Sequence, residues 1–94
     1  MAKSIIQSTK ECFVCGTTYN LHEHHCIYGT ANRKWSEKYG LKVWLCGKHH
    51  NLSNEGVHFN NVLDLQLKQL AQECFEKKIG SREDFRLYFG RSWL

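Results

Sequence analysis

Proline is missing from all 94 residues, an oddity that excludes little. Other absences exclude more. There is no unbroken apolar run of about eighteen residues, so nothing reads as a membrane-spanning helix. No basic-then-apolar leader opens the chain, so no secretory signal is read and the expected location is cytoplasmic. Repeats, low-complexity tracts and interdomain linkers are also missing. Five cysteines are present. An odd count without a leader argues against a disulfide scaffold and fits a reducing compartment where thiolates hold metal. A chain of this length is one small domain with a modest core, which often leans on a metal or a partner. Thirteen basic against nine acidic residues give a net charge of +4, which permits a polyanionic partner without demanding one.

What the chain has in plenty is histidine, six in all, five of them between Cys12 and Asn51. That stretch organises the rest. It opens with Cys12-Phe13-Val14-Cys15 and Gly16, a knuckle that lets two thiolates face one point. Leu21 to Tyr28 reads as a strand ended by Gly29-Thr30. Asn32 to Tyr39 is polar and charged, and reads either as a helical turn or as an extended loop. Leu41 to Cys46 reads as a second strand, with Leu41, Val43 and Leu45 on one side and Trp44 on the other. A helix begins at His49 or His50 and fades by Gly56. Residues 1–10 form an N-terminal arm, either loose or covering the core through Ile5 and Ile6.

The C-terminal part, residues 59–94, is helical by period. Asn61 to Lys78 carries an apolar stripe of Val62, Leu63, Leu67, Leu70, Ala71, Cys74 and Phe75, with Asn60 or Asn61 as its cap and Gly80 as its stop. Ser81-Arg82-Glu83-Asp84 has the spacing of a capping box before a helix from Arg82 to Phe89. That helix offers Phe85, Tyr88 and Phe89 to the core. Trp93-Leu94 reads as a latch folding back.

Cys12 and Cys15 need two more ligands, and Cys46 with His49 is the only later pair at suitable spacing. The set makes a three-sulfur, one-nitrogen structural zinc site, with His50 as the alternative to His49. A redox pair would want a thioredoxin-like strand-helix setting that the glycine turn does not supply. Cys26 and Cys74 have no partner at motif spacing and read as small buried side chains. The remaining histidines suggest a second site. Adjacent residues on a strand point to opposite faces, so His24-His25 makes most sense at a strand end, where one imidazole binds metal and the other takes a proton. Metal plus general base is what phosphodiester hydrolysis needs.

Together, Cys12-x-x-Cys15, Leu21-His22-Glu23-His24-His25 and Leu45-Cys46-x-x-His49-His50-Asn51, continuing through Gly56-Val57-His58, resemble the HNH, or ββα-metal, nucleases. The likeness covers about half the chain and looks closest to small phage and prophage members whose hairpin is stapled by zinc. The resemblance implies a small α+β fold: a zinc-stabilised ββα-metal hairpin-plus-helix core over residues 11–58, followed by two C-terminal helices. It implies a metal-dependent endonuclease acting on double-stranded DNA, with structural Zn²⁺ and a catalytic Mg²⁺ or Mn²⁺. By the same likeness, His24 and His50 hold the catalytic ion and His25 is the general base. Asn54, one turn after His50, is a further ligand or phosphate contact. A role in phage packaging or recombination follows from the likeness alone. The family's middle asparagine has no counterpart in Gly40 to Trp44; Asn32 is the nearest candidate.

His58 reads either as a phosphate or metal contact or as a structural hydrogen-bonding group. His22 reads as a support or surface residue rather than a ligand, and Glu23 points away from His24. Arg33, Lys34, Lys38, Lys42 and Lys48 are candidate phosphate contacts, each equally readable as solvated surface. Trp35 and Trp44 are expected in core packing before base stacking. The alternative function is a non-catalytic zinc-finger-like module binding nucleic acid or protein, which leaves the clustering of His24, His25 and His50 without a reason.

Overall fold

The computed structural model describes residues 3–50 and 56–94 and is a small α+β structure built on a two-stranded antiparallel hairpin. Strand β1 (Leu21–His25) pairs with β2 (Lys42–Cys46) from Leu21 opposite Cys46 to His25 opposite Lys42. The pleat sorts the hairpin into two faces. His22 and His24 lie opposite Leu45 and Val43 on one, and Glu23 and His25 lie opposite Trp44 and Lys42 on the other.

β1 ends at His25, short of the expected Tyr28. Cys26 still donates its N–H to Leu41 O, but the chain then turns through Gly29, whose φ of +104° suits glycine. The polar stretch that follows is a helix, α1 (Arg33–Tyr39), and tertiary contacts explain why. Ser36 Oγ, fully buried, donates to Ile27 O at 2.6 Å, while Trp35 and Tyr39 stack together and pack on Tyr88. Asn32 Nδ2 donates to Tyr28 O at 3.1 Å and ties the two ends of the loop that enters α1.

Gly40 ends α1 at φ +69° and receives the N-terminal arm: Ile5 N–H donates to Gly40 O, and a Cβ on Gly40 would stand 2.1 Å from Lys3 O. The arm is thus docked, with Ile5 and Ile6 against the core. Trp44 departs from expectation. It is half-buried outside the core cluster, under Lys10, whose Nζ lies 4.6 Å from the ring centroid, and lines a cavity of about 570 Å³ beside the arm.

After β2 the chain enters α2 (Gly47–His50), then a 3₁₀ turn (Val57–Phe59) leads to α3 (Asn61–Lys78). Asn60 caps α3, its side-chain oxygen accepting from Val62 and Leu63 N–H at 3.1 Å each. The stripe buries Leu67, Ala71 and Phe75 but not Val62, which is 67 % exposed; fully buried Gln72 lies among the apolar residues instead. Helix α4 (Arg82–Phe89) opens with the Ser81/Asp84 capping box and ends at Gly90. Phe75, Phe85 and Phe89 share one core with Ile27, Leu41, Val43 and Leu45, so the helices and the hairpin are a single packed unit. The latch is held by Gln72, whose Oε1 accepts from Trp93 N–H at 2.7 Å. No helix among the described residues is long and apolar enough to cross a membrane.

Candidate metal centres and cleft

Cys12, Cys15, Cys46 and His49 come together at the base of the hairpin, their ligand atoms all within 4.8 Å of one another. The knuckle supplies Cys12 and Cys15, β2 ends at Cys46, and the first turn of α2 swings His49 back. Zinc bonds of about 2.3 Å to sulfur and about 2.0 Å to nitrogen imply tetrahedral edges of about 3.8 Å between sulfurs and somewhat less from sulfur to nitrogen. The spacings here are 3.8 Å for Cys15 Sγ to Cys46 Sγ, and 3.7 and 3.2 Å from Cys12 Sγ and Cys46 Sγ to His49 Nδ1. Burial works to raise the Cys12 thiol, but the backbone N–H groups of Cys46, Cys15 and Val14 outweigh it and bring the pKa down to about 6. A ligand already inclined to ionise fits a metal thiolate. The donor set and its spacing fit a structural zinc.

His50, next in sequence, turns to a different group. His24, His50 and His58 bring one ring nitrogen each within 4.8 Å of the others. His58 Nε2 and His50 Nε2 are 3.2 Å apart, close to the edge of about 3.3 Å expected between two nitrogens on one tetrahedral ion. His24 is 3 % exposed and its Nε2 is buried with no hydrogen-bond partner. An orphaned buried nitrogen is costly unless something else satisfies it. Burial, then repulsion from His50 and His58, lowers the His24 pKa to about 3; burial, then His58 and His22, lowers that of His50 to about 4. Both rings are therefore neutral at pH 7, with lone pairs to give.

His22 completes the arrangement from β1. Its Nδ1 lies 2.9 Å from His50 Nδ1, and its Nε2 lies 3.4 Å from Asn20 Oδ1. Asn20 Oδ1 can only accept, so His22 carries its proton on Nε2 and accepts from His50 Nδ1–H. That leaves the His50 Nε2 lone pair free toward His24 and His58, the usual way a second hydrogen bond orients an imidazole ligand. The residues fit a divalent ion.

A cleft of about 400 Å³ opens over this group, lined among others by His24, His25, Tyr28, Arg33, His50 and His58. His25 is not one of the three clustered imidazoles. It lies on the other face of β1, at the strand end where the cleft wraps around, and its Nε2 lies 2.9 Å from Glu37 Oε1. Asn54 lies outside the described residues. Of the candidate phosphate contacts Arg33 lines the cleft, whereas Lys42 is 4 % exposed and bound to Glu37 at 2.7 Å and Glu23 at 3.4 Å. Lys42 is a buried, neutralised cation rather than a surface one. Tyr28 was not a candidate from the sequence. Its ring packs on His24 and His58 and its hydroxyl donates to Asp64 at 3.1 Å, so it joins the imidazole group to α3. Cys26 is fully buried, which raises its thiol pKa and leaves it inert, while Cys74 is only partly buried.

No family model, curated protein or solved structure matches the chain.

Proposed function

We propose that the chain is a metal-dependent endonuclease of the HNH, or ββα-metal, type that hydrolyses phosphodiester bonds in double-stranded DNA. The observation that carries this reading is the meeting of His24, His50 and His58, one with a buried unpartnered nitrogen, in a cleft shared with His25 and Arg33. A zinc module would need only Cys12, Cys15, Cys46 and His49 and gives no reason for a second set of converging imidazoles, one of them buried without a partner.

An ion held by His24, His50 and His58 would supply Lewis-acid stabilisation of the charge on the phosphate and leaving oxygens. Three imidazole ligands suit a first-row transition ion better than Mg²⁺, which prefers oxygen ligands, so Mn²⁺ is the better of the two expected cofactors. His25 acts as general base, taking a proton from water as the water oxygen bonds to phosphorus in line with the leaving 3′ oxygen. The P–O3′ bond breaks, the departing oxygen takes a proton from solvent, and the products are a 5′-phosphate and a 3′-hydroxyl. Arg33 offers a guanidinium to the phosphate's non-bridging oxygens. A hairpin with short flanking helices has little surface for reading bases, so cutting is weakly sequence-specific or directed by a partner such as phage packaging or recombination machinery.

The test is nicking of supercoiled plasmid by zinc-loaded protein with added Mn²⁺. The wild type cuts; His25→Ala loses roughly a hundredfold or more in rate while still binding the second ion; His24→Ala loses both. Wild-type protein that binds both metals and leaves the plasmid intact overturns the proposal.

A further inference from the structure

We infer that Glu37 is the positioning residue for His25, fixing the ring with its proton on Nε2 and its lone pair on Nδ1. The consequence for catalysis rests on the nuclease reading; the hold itself rests on geometry alone. Glu37 Oε1 lies 2.9 Å from His25 Nε2, and a carboxylate can only accept, so Nε2 must donate. Nδ1 is then the one His25 nitrogen left to take a proton. The second oxygen, Oε2, accepts from Lys42 Nζ at 2.7 Å. With one partner on each oxygen, the carboxylate cannot turn without dropping one of them.

Both ends of this contact are held by the fold. Lys42 is paired directly opposite His25 across the hairpin and is also bound to Glu23. Glu37 rides on α1, which is tied to the preceding loop by the Asn32–Tyr28 and Ser36–Ile27 bonds and to the arm at Gly40. An exposed ion pair would contribute little, but the His25 and Lys42 side chains here are only 13 % and 5 % exposed. Glu23, His25 and Glu37 also stand close enough together to hold an ion. The Lys42 ammonium already lies against both carboxylates, so a cation site is the poorer account of the cluster.

The test uses the zinc-loaded full chain with ¹⁵N-labelled histidine. Nitrogen–proton correlation spectra of wild type should place the His25 proton on Nε2, and Glu37→Ala should give mixed tautomers. On a labelled duplex oligonucleotide with Mn²⁺, Glu37→Ala should lower kcat roughly ten- to a hundredfold with KM changed by less than about twofold, and Glu37→Asp should recover part of it. Glu37→Gln keeps the size and guards against a folding failure in the alanine variant. It should also fall short of wild type, because its amide cannot accept from both His25 and Lys42. A wild-type His25 protonated on Nδ1, or wild-type kcat in both Glu37→Ala and Glu37→Gln, overturns the inference. If wild type cuts nothing, the nuclease reading falls while the tautomer spectrum still decides for or against the Glu37 hold.

Discussion

Removing zinc from the Cys12, Cys15, Cys46 and His49 group should unfold the whole domain rather than loosen one corner. Ninety-four residues at about 0.05–0.15 kcal/mol each give a total stability of about 5–14 kcal/mol. A structural zinc of this donor type contributes about 10–16 kcal/mol to folding at neutral pH. The loss therefore takes most or all of the margin. It is not confined to the knuckle, because Cys12 and Cys46 belong to the same core as Leu45, Phe75 and Phe85. The perturbation is a strong chelator, or Cys46→Ser, which replaces a thiolate 6 % exposed by a poor ligand. The assay is far-ultraviolet circular dichroism on heating, with tryptophan fluorescence followed in parallel. Helical signal from α3 and α4 should collapse with the fluorescence in one transition, and added Zn²⁺ should restore both. Zinc-free protein that melts within a few degrees of the zinc-loaded form would refute the reasoning.

Three further perturbations test other parts of the account. His24 has a folded pKa of about 3 against an ordinary 6.5, so the second-ion-free fold should keep this share of its stability above pH 6.5 and lose it as pH falls toward 3. The cost is about 2 kcal/mol by about pH 5, and urea melts of zinc-loaded wild type should show a steeper pH slope than His24→Leu, which keeps the share from His50; equal slopes would count against the buried neutral imidazole. Gly40→Ala places a Cβ 2.1 Å from Lys3 O at a φ of +69°, so it should cost at least about 1–2 kcal/mol. It should also release the arm, with trypsin then cutting at Lys3 and Lys10 faster than in wild type; unchanged protection would contradict the docking. Gln72→Ala removes the acceptor for Trp93 N–H and the donors to Glu76 and Ser92 from a fully buried site, and should cost about 2–4 kcal/mol by denaturant melt.

Helices α3 and α4 were legible because their signals are local: Asn60 before the first turn, the Ser81/Asp84 box, and Gly90 after Phe89. Helix α1 was not, because its polar sequence carries only Trp35 and Tyr39 as a stripe and is made helical by Ser36 reaching Ile27 and by packing on Tyr88. The same division holds at the site. Thiolate and histidine spacings point to metal, since ligands four apart or fewer must turn back on one point. The Glu37–His25 pair joins residues twelve apart on a helix and a strand, and no local pattern announces it. Lys42 looked like one more surface cation, because nothing in its neighbours reveals that two carboxylates from other elements enclose it. Gln72 and Val62 exchanged places against expectation. The C-terminal latch demands a buried acceptor on α3, and Val62 lies in its first, solvent-facing turn.

The most direct measurement is anomalous diffraction from zinc-loaded crystals soaked in Mn²⁺. Two separate peaks are expected, zinc among Cys12, Cys15, Cys46 and His49, and manganese within about 2.3 Å of a nitrogen on each of His24, His50 and His58. A map with zinc alone, and with those three rings closed on one another at saturating Mn²⁺, would contradict it.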